Sequence, residues 1–229
     1  EAKKYQPQYM YNSLFINSGL GVMSDVGLFA GVSQTDWSWA PLLADFNNDG
    51  WKDLMVTNGF RKDTKNNDWK NELVEIRNRK GSAYSPADYF EHLKKANVNP
   101  VPNQIFQNTG GLKFKQITTD WGFETPSSSN GAAYADLDQD GDLDLVINNF
   151  DQPAFVYRNN SRENKSGNFI RFKLKDGKTS NAVMHSKICL YYKDQMQCND
   201  YAFTRGYQSF VEPVLHFGLG ENEVVDRAV

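Results

Sequence analysis

Two kinds of apolar spacing divide the chain. Short, mostly alternating apolar runs bounded by Gly, Asn, Asp and Pro recur at 54–57, 143–147, 155–159, 169–174, 187–192, 205–209 and 215–220, and each predicts a β-strand. Between 61 and 102 the spacing becomes helical. Asp68 predicts the N-cap of a helix through Trp69, Leu73 and Ile76 that stops at Gly81. Ser85, with Pro86 next and Asp88 three residues on, predicts a second helix whose apolar face is Tyr89, Phe90 and Leu93. The segment 99–102, Asn-Pro-Val-Pro, returns the chain to strand. The overall expectation is an all-β chain with one helical insertion.

The strands repeat at an offset of 91 residues. Asn12 matches Asn103, Phe15 matches Phe106, Asn17 matches Asn108, Gly19 matches Gly110, Gly31 matches Gly122 and Asp45 matches Asp136. Each copy reads as an aromatic-x-Asn strand, a Gly turn, a second strand, an acidic loop and a third strand, which is one blade of a propeller-like array. Tyr157 and Asn159 start a third copy. The boundaries that follow are a first blade at 1–60, the insertion at 61–102, a second blade with the start of a further strand at 103–160, and a separate small β module at 161–229.

The acidic loops carry the chemistry. Asp136, Asp138, Asp140, Asp142 and Asp144 lie within nine residues, and like charges that close are costly without a counter-ion. Side-chain oxygens at positions 1, 3 and 5, a backbone carbonyl at 7 and a carboxylate at 9 supply the oxygen set Ca2+ takes. Gly141 at position 6 permits the sharp turn. The other copy has the same plan with Asp45, Asn47, Asp49, the carbonyl of Trp51 and Asp53. Its lower formal charge predicts weaker binding. Neither is an EF-hand, because position 12 is Val56 or Ile147 instead of Glu. Mg2+ is disfavoured by its demand for near-ideal octahedral geometry. On this scheme Asp140→Ala abolishes the second site, whereas Asp142→Ala, which spares the carbonyl, is mild.

Composition narrows the function. The 229 residues net -3, but the second loop alone carries -5 and the first -2, so the rest is net positive without forming a basic stripe. That excludes nucleic acid as an electrostatic partner. No apolar run approaches the roughly 18 residues of a membrane span. The start of the chain is no signal peptide, and the end resembles the middle of a strand, so the expectation is a fragment of a larger exported protein. Cys189 and Cys198 face each other if residues between them form a hairpin centred on Lys193-Asp194; a disulfide and a pair of packed free thiols both remain open.

The segments 12–58 and 103–149 resemble FG-GAP/VCBS repeats, the calcium-binding blades of integrin-type propellers. The residues Arg205-Gly206-Tyr207-Gln208-Ser209, Glu212-Pro213, Leu215-His216-Phe217-Gly218-Leu219-Gly220 and Val225-Asp226-Arg227 are similar to the ASPIC/UnbV domain, which follows such repeats in cartilage acidic proteins and many bacterial surface proteins. Asp120-Trp121-Gly122-Phe123, Ser129-Asn130-Gly131-Ala132-Ala133-Tyr134 and Asn148-Asn149 resemble a subgroup in large Bacteroidota surface lipoproteins. The resemblance implies Ca2+ at two sites, a β-sandwich or barrel-like last domain cut short of its final strand, and a secreted or cell-surface location. In bacteria it implies an outer-membrane lipoprotein accessory to a nutrient-uptake complex.

No catalytic motif selects itself. HExxH and GxSxG are absent, and His216 sits in an apolar strand where packing explains it. Three expectations remain: a calcium-stabilised binding module for a glycan, a peptide or another surface protein; a scaffold subunit of a larger complex; and, behind both, a polysaccharide hydrolase. Trp37, Trp39, Trp51 and Trp69 are the candidates for a sugar-stacking platform, and the 205–209 segment is either a ligand surface or a tight turn with Tyr207 buried.

Overall fold

The computed structural model describes residues 10–164, 167–175 and 183–229. It opens with a hairpin of β1 (Phe15–Asn17) and β2 (Met23–Asp25), followed by one helical turn, α1 (Gly27–Ala30). Then come β3 (Ser38–Ala44) and β4 (Asp53–Asn58), with the first acidic loop as their turn. The insertion holds α2 (Asn67–Lys80) and α3 (Pro86–Lys94). Strands β5 (Val101–Pro102), β6 (Gln104–Asn108), β7 (Phe114–Gln116), β8 (Pro126–Ser127), β9 (Ser129–Ala135), β10 (Asp144–Asn149) and β11 (Phe155–Tyr157) follow, the second acidic loop joining β9 to β10. The last module is β12 (Asn168–Phe172), β13 (Lys187–Tyr192), β14 (Gln195–Asp200), β15 (Leu215–Gly220) and β16 (Arg227–Ala228). Apart from the insertion and the single turn of α1, the described residues are all-β, as expected.

The 91-residue offset is structural as well as sequential. β3 maps onto β9, β4 onto β10 and β2 onto β7, residue for residue. The hydrogen-bonded sheets, however, run out of phase with the sequence copies. One sheet is ordered β3-β4-β6-β7 and the next β11-β10-β9. Each sheet therefore takes its first strands from one copy and its last from the copy after it, instead of one copy making one blade. The register shows why. Leu54 pairs with Phe106 and Leu145 with Tyr157, so the aromatic-x-Asn strand of each copy zips onto the loop-bearing strand before it.

That phase explains a departure at the N-terminal end. Phe106 is buried and Tyr157 half-buried, as expected of blade-core aromatics, but Phe15 is 57% exposed. Among the described residues β1 pairs only with β2, so Phe15 has no loop-bearing strand to zip against.

The two sheets share one core. Ala40, Leu42, Met55, Ile105, Ala132, Leu145 and Ile147 form it. Thr57 ties the sheets together: its hydroxyl accepts from Ala40 N at 2.9 Å and donates to Asn130 O at 2.6 Å. The last module has its own core, with Ile188, Leu190 and Tyr192 of β13 against Leu215, Phe217 and Leu219 of β15. Cys189 pairs directly with Cys198, and the two form a disulfide with Cα atoms 4.1 Å apart.

Two local expectations are corrected. Asn66, not Asp68, caps α2. Its side-chain oxygen accepts from Asp68 N at 2.8 Å and Trp69 N at 3.2 Å, because an extended residue two to three positions upstream is what reaches those free N–H groups. Residues 205–209 form no strand. They make a loop closed by a Thr204–Phe210 bridge, with Gly206 and Gln208 at positive φ. The loop lies on β3, where Gly206 leaves room against Ala40 and Leu42. The Ser85 capping box on α3 forms as expected.

Candidate metal centre

The turns of the two loops are built from the aspartates. In the first, Asp45 accepts from Asp49 N at 3.1 Å and Gly50 N at 2.8 Å, Asn47 accepts from Asp49 N at 3.3 Å, and Asp49 accepts from Trp51 N at 2.7 Å. In the second, Asp136 accepts from Gly141 N at 3.2 Å, Asp138 from Asp140 N at 3.4 Å and Asp140 from Asp142 N at 2.9 Å. Gly50 and Gly141 sit at φ +94 and +98, which non-Gly residues rarely adopt. Short Asp side chains thus satisfy backbone donors and keep further lone pairs for a cation.

Position 9 locks the loop to its sheet. Asp53 accepts from Phe46 N of its own loop and from Asn108 N of β6. Asp144 does the same with Leu137 N and Asn159 N. The repeated Asn then reaches back, with Asn108 Nδ2 on Lys52 O and Asn159 Nδ2 on Leu143 O and Phe46 O. The aromatic-x-Asn signature was visible in the sequence; that its Asn clasps the preceding loop was not.

The donor set fits a hard cation. Carboxylate oxygens of Asp136, Asp138 and Asp144 lie within 4.8 Å of one another. Asp136 is 8% exposed, and its Oδ1 is buried with no hydrogen-bond partner. The guanidinium of Arg171 already meets the other oxygen, Oδ2, so what remains costly is the buried Oδ1, which lacks a partner of its own. In the first loop, burial pushes Asp45 up to about 7, with Asp49 adding repulsion, and burial pushes Asp53 up to about 8. A bound Ca2+ reverses that cost. On the sequence plan Asp45, Asn47, Asp49 and Asp53, with the Trp51 carbonyl, would hold one ion, and Asp136, Asp138, Asp140 and Asp144, with the Asp142 carbonyl, the other. Of these, the structure gathers the carboxylates of Asp136, Asp138 and Asp144, while Asp140 lies with Asp142 and Glu163.

The structure gives Asp142 a second task. Its carboxylate is fully buried, accepts from Asn48 Nδ2 at 2.8 Å and Arg162 N at 2.5 Å, and burial raises its pKa. The expectation that Asp142→Ala is mild considered the carbonyl alone, whereas the side chain also joins the two loops. Sequence reasoning also missed two arginines. Arg158 reaches Asp138 at 2.7 Å, Asp140 at 3.3 Å and Glu163 at 2.7 Å. Arg171 pairs with Asp136 and, at 2.6 Å, with Glu212. Each lies outside the loops in sequence, and the strands β11 and β12 bring them there.

The four candidate tryptophans do not form one platform. Trp69 stacks on His92 at 4.9 Å inside the insertion, and Trp39 donates to Gly59 O and packs on Tyr207. Trp37 and Trp51 remain exposed, at 38% and 52%. Trp37 packs on Phe60, with Lys65 Nζ 3.6 Å over its ring.

Paired aspartate loops on repeating strands, followed by a disulfide-bearing β module, define a class. Residues 6–56 match the family model for the FG-GAP-like repeat, and residues 177–229 match that for ASPIC and UnbV. Along 93% of its length the chain is similar to cartilage acidic protein 1, at 26% identity in Xenopus tropicalis, 27% in Mus musculus and 26% in Homo sapiens. The match spans 36% of each of those relatives.

Proposed function

We propose that the chain is an extracellular interaction module whose two aspartate loops each hold Ca2+, stiffening the surface it presents to a glycan, a peptide or another surface protein. The observation that carries the cation reading is Asp136: a buried carboxylate oxygen without a partner, in a cluster with Asp138 and Asp144. FG-GAP-like and ASPIC and UnbV matches support an interaction role, and free Ca2+ outside cells is high enough for modest sites to fill. Among the described residues no helix is long and apolar enough to cross a membrane. The placement is extracellular or cell-surface, and for a bacterial chain it is attachment to the outer membrane as a lipoprotein. The reading is of a binding protein, and turnover of any polysaccharide on a broad panel would contradict it.

A second reading is favoured by the N-terminal hairpin. Phe15, Leu20, Val22 and Met23 are all more than half exposed, an apolar surface of the kind that assembly buries. On that reading the chain is a scaffold unit. Sedimentation decides between them: self-association that Phe15→Ser abolishes supports the scaffold, and a monomer at all concentrations opposes it. The cation reading is tested by titrating Ca2+ into chelator-treated protein. Saturation near two equivalents is expected; no binding would refute it.

A further inference from the structure

The face of the last module that meets the sheets is made of residues that fit closely against both loops. Gly218 has no room for a side chain: a Cβ there would overlap Asp45 and the backbone of Asn48. Gly220 N donates to Asn48 O at 2.8 Å. A Cβ on Gly141, in the second loop, would overlap the Phe169 ring. Phe169 in turn stacks on His216 at 5.5 Å, so adjacent strands β12 and β15 place one ring on each loop.

A hydrogen-bonded chain links these contacts. Asn48 is 1% exposed and sits at φ 58 between the first-loop residues Asn47 and Asp49. Its Nδ2 is committed to Asp142 of the second loop, so its Oδ1 faces His216 Nε2 at 2.6 Å and that nitrogen carries the proton. One buried carboxamide thus touches the first loop through its backbone, the second loop through Asp142 and the last module through β15. Arg171 closes the other side by pairing with Asp136.

We propose that the last module is a lock on the cation loops: docked β12 and β15 hold both loops in their binding shape, and the His216–Asn48–Asp142 chain makes occupancy of one loop favour occupancy of the other. The proposal rests on the calcium reading above and adds to it a coupling between the two sites and the module. Buried polar chains suit this role, because each member is costly to leave unsatisfied and so has few alternative arrangements. Linkage makes the effect reciprocal: if docking favours binding, binding favours docking.

The test uses the whole chain and Ca2+ alone, read by calorimetry and by hydrogen exchange. Wild-type protein is expected to bind near two equivalents with positive cooperativity, the first ion raising affinity for the second by roughly tenfold. Ca2+ is also expected to slow exchange at 215–220, on the module, as well as in the loops. Asn48→Gly keeps the positive φ but removes the link; it is expected to retain two equivalents while losing cooperativity and the protection at 215–220. His216→Gln, which restores a donor, is expected to keep both. Independent sites in wild type, or protection confined to the loops, overturns the coupling while leaving the calcium reading intact. No binding in wild type removes both. The exchange comparison on wild type needs no variant, so it decides the coupling even if Asn48→Gly fails to fold.

Discussion

Asn48 and Asp142 are 94 residues apart and share a buried hydrogen bond of 2.8 Å. Each belongs to a different acidic loop, and each spends its side chain on the other loop instead of on the cation position of its own. Their contact makes the loops one structural unit, and several expectations depend on it.

Asp142→Ala should cost stability without costing a cation. It strands the buried Asn48 Nδ2 and removes the acceptor of the part-buried Arg162 N, and a buried unsatisfied donor costs about 1–3 kcal/mol. Urea denaturation in excess Ca2+ should show a loss in that range or somewhat above it, while stoichiometry stays near two. A loss below about 0.5 kcal/mol would mean the link carries no stability, since that is the scale of an ordinary surface substitution.

The pH dependence of stability should itself depend on Ca2+. Asp45 and Asp53 are raised from 3.8 to about 7 and about 8 by burial, so between those values and 3.8 the cation-free native state holds more protons than the unfolded chain. Its stability must then fall as pH rises. His216, lowered by burial and by Arg171 from 6.5 to about 3, acts in the opposite direction, but only below pH 6.5. The clean window runs from pH 6.5 to about 8. In chelator, stability should drop across it; in saturating Ca2+ the native carboxylates stay ionised and the drop should vanish. Equal slopes in both conditions would place the cation elsewhere.

The disulfide should stabilise the last module locally. Cys189 and Cys198 close a loop with a sequence separation of 9, for which chain entropy gives roughly 2–3 kcal/mol. Replacing both by Ser should lower denaturant stability by up to that amount and leave Ca2+ stoichiometry unchanged. A loss of calcium binding would show that the hairpin supports the loops directly.

Gly141→Ala should be worse than Gly122→Ala, although both sit at positive φ. A Cβ at Gly141 meets the Phe169 ring, whereas nothing lies within 4 Å at Gly122. Strain at positive φ alone costs about 1 kcal/mol. The excess at Gly141, seen as a larger fall in melting temperature, reports the closeness of the module to the second loop.

Much of this was readable in the residues. The loops, the 91-residue repeat, the Ser85 cap and the Cys189–Cys198 hairpin all depend on spacing, and spacing is what a sequence displays. What was hidden depends on partners far along the chain. Nothing local says that Asn108 zips onto Asp53, which is why the sheets run out of phase with the copies. Phe15 reads like Phe106, yet is exposed because β1 pairs with β2 alone among the described residues. Asn66 and Asp68 are both good caps, and only backbone geometry chose between them. Asp142 was recognised for its carbonyl, while its carboxylate found Asn48 across the fold.

The most direct test of the central claim is a calorimetric Ca2+ titration of wild type beside Asp136→Ala, with melting curves in Ca2+ and in EDTA. The expected result is near two equivalents and a raised melting temperature for wild type, as binding to the native state requires, with one equivalent lost in the variant. No binding by wild type, or two equivalents retained by Asp136→Ala, would contradict the assignment of that buried carboxylate as a calcium ligand.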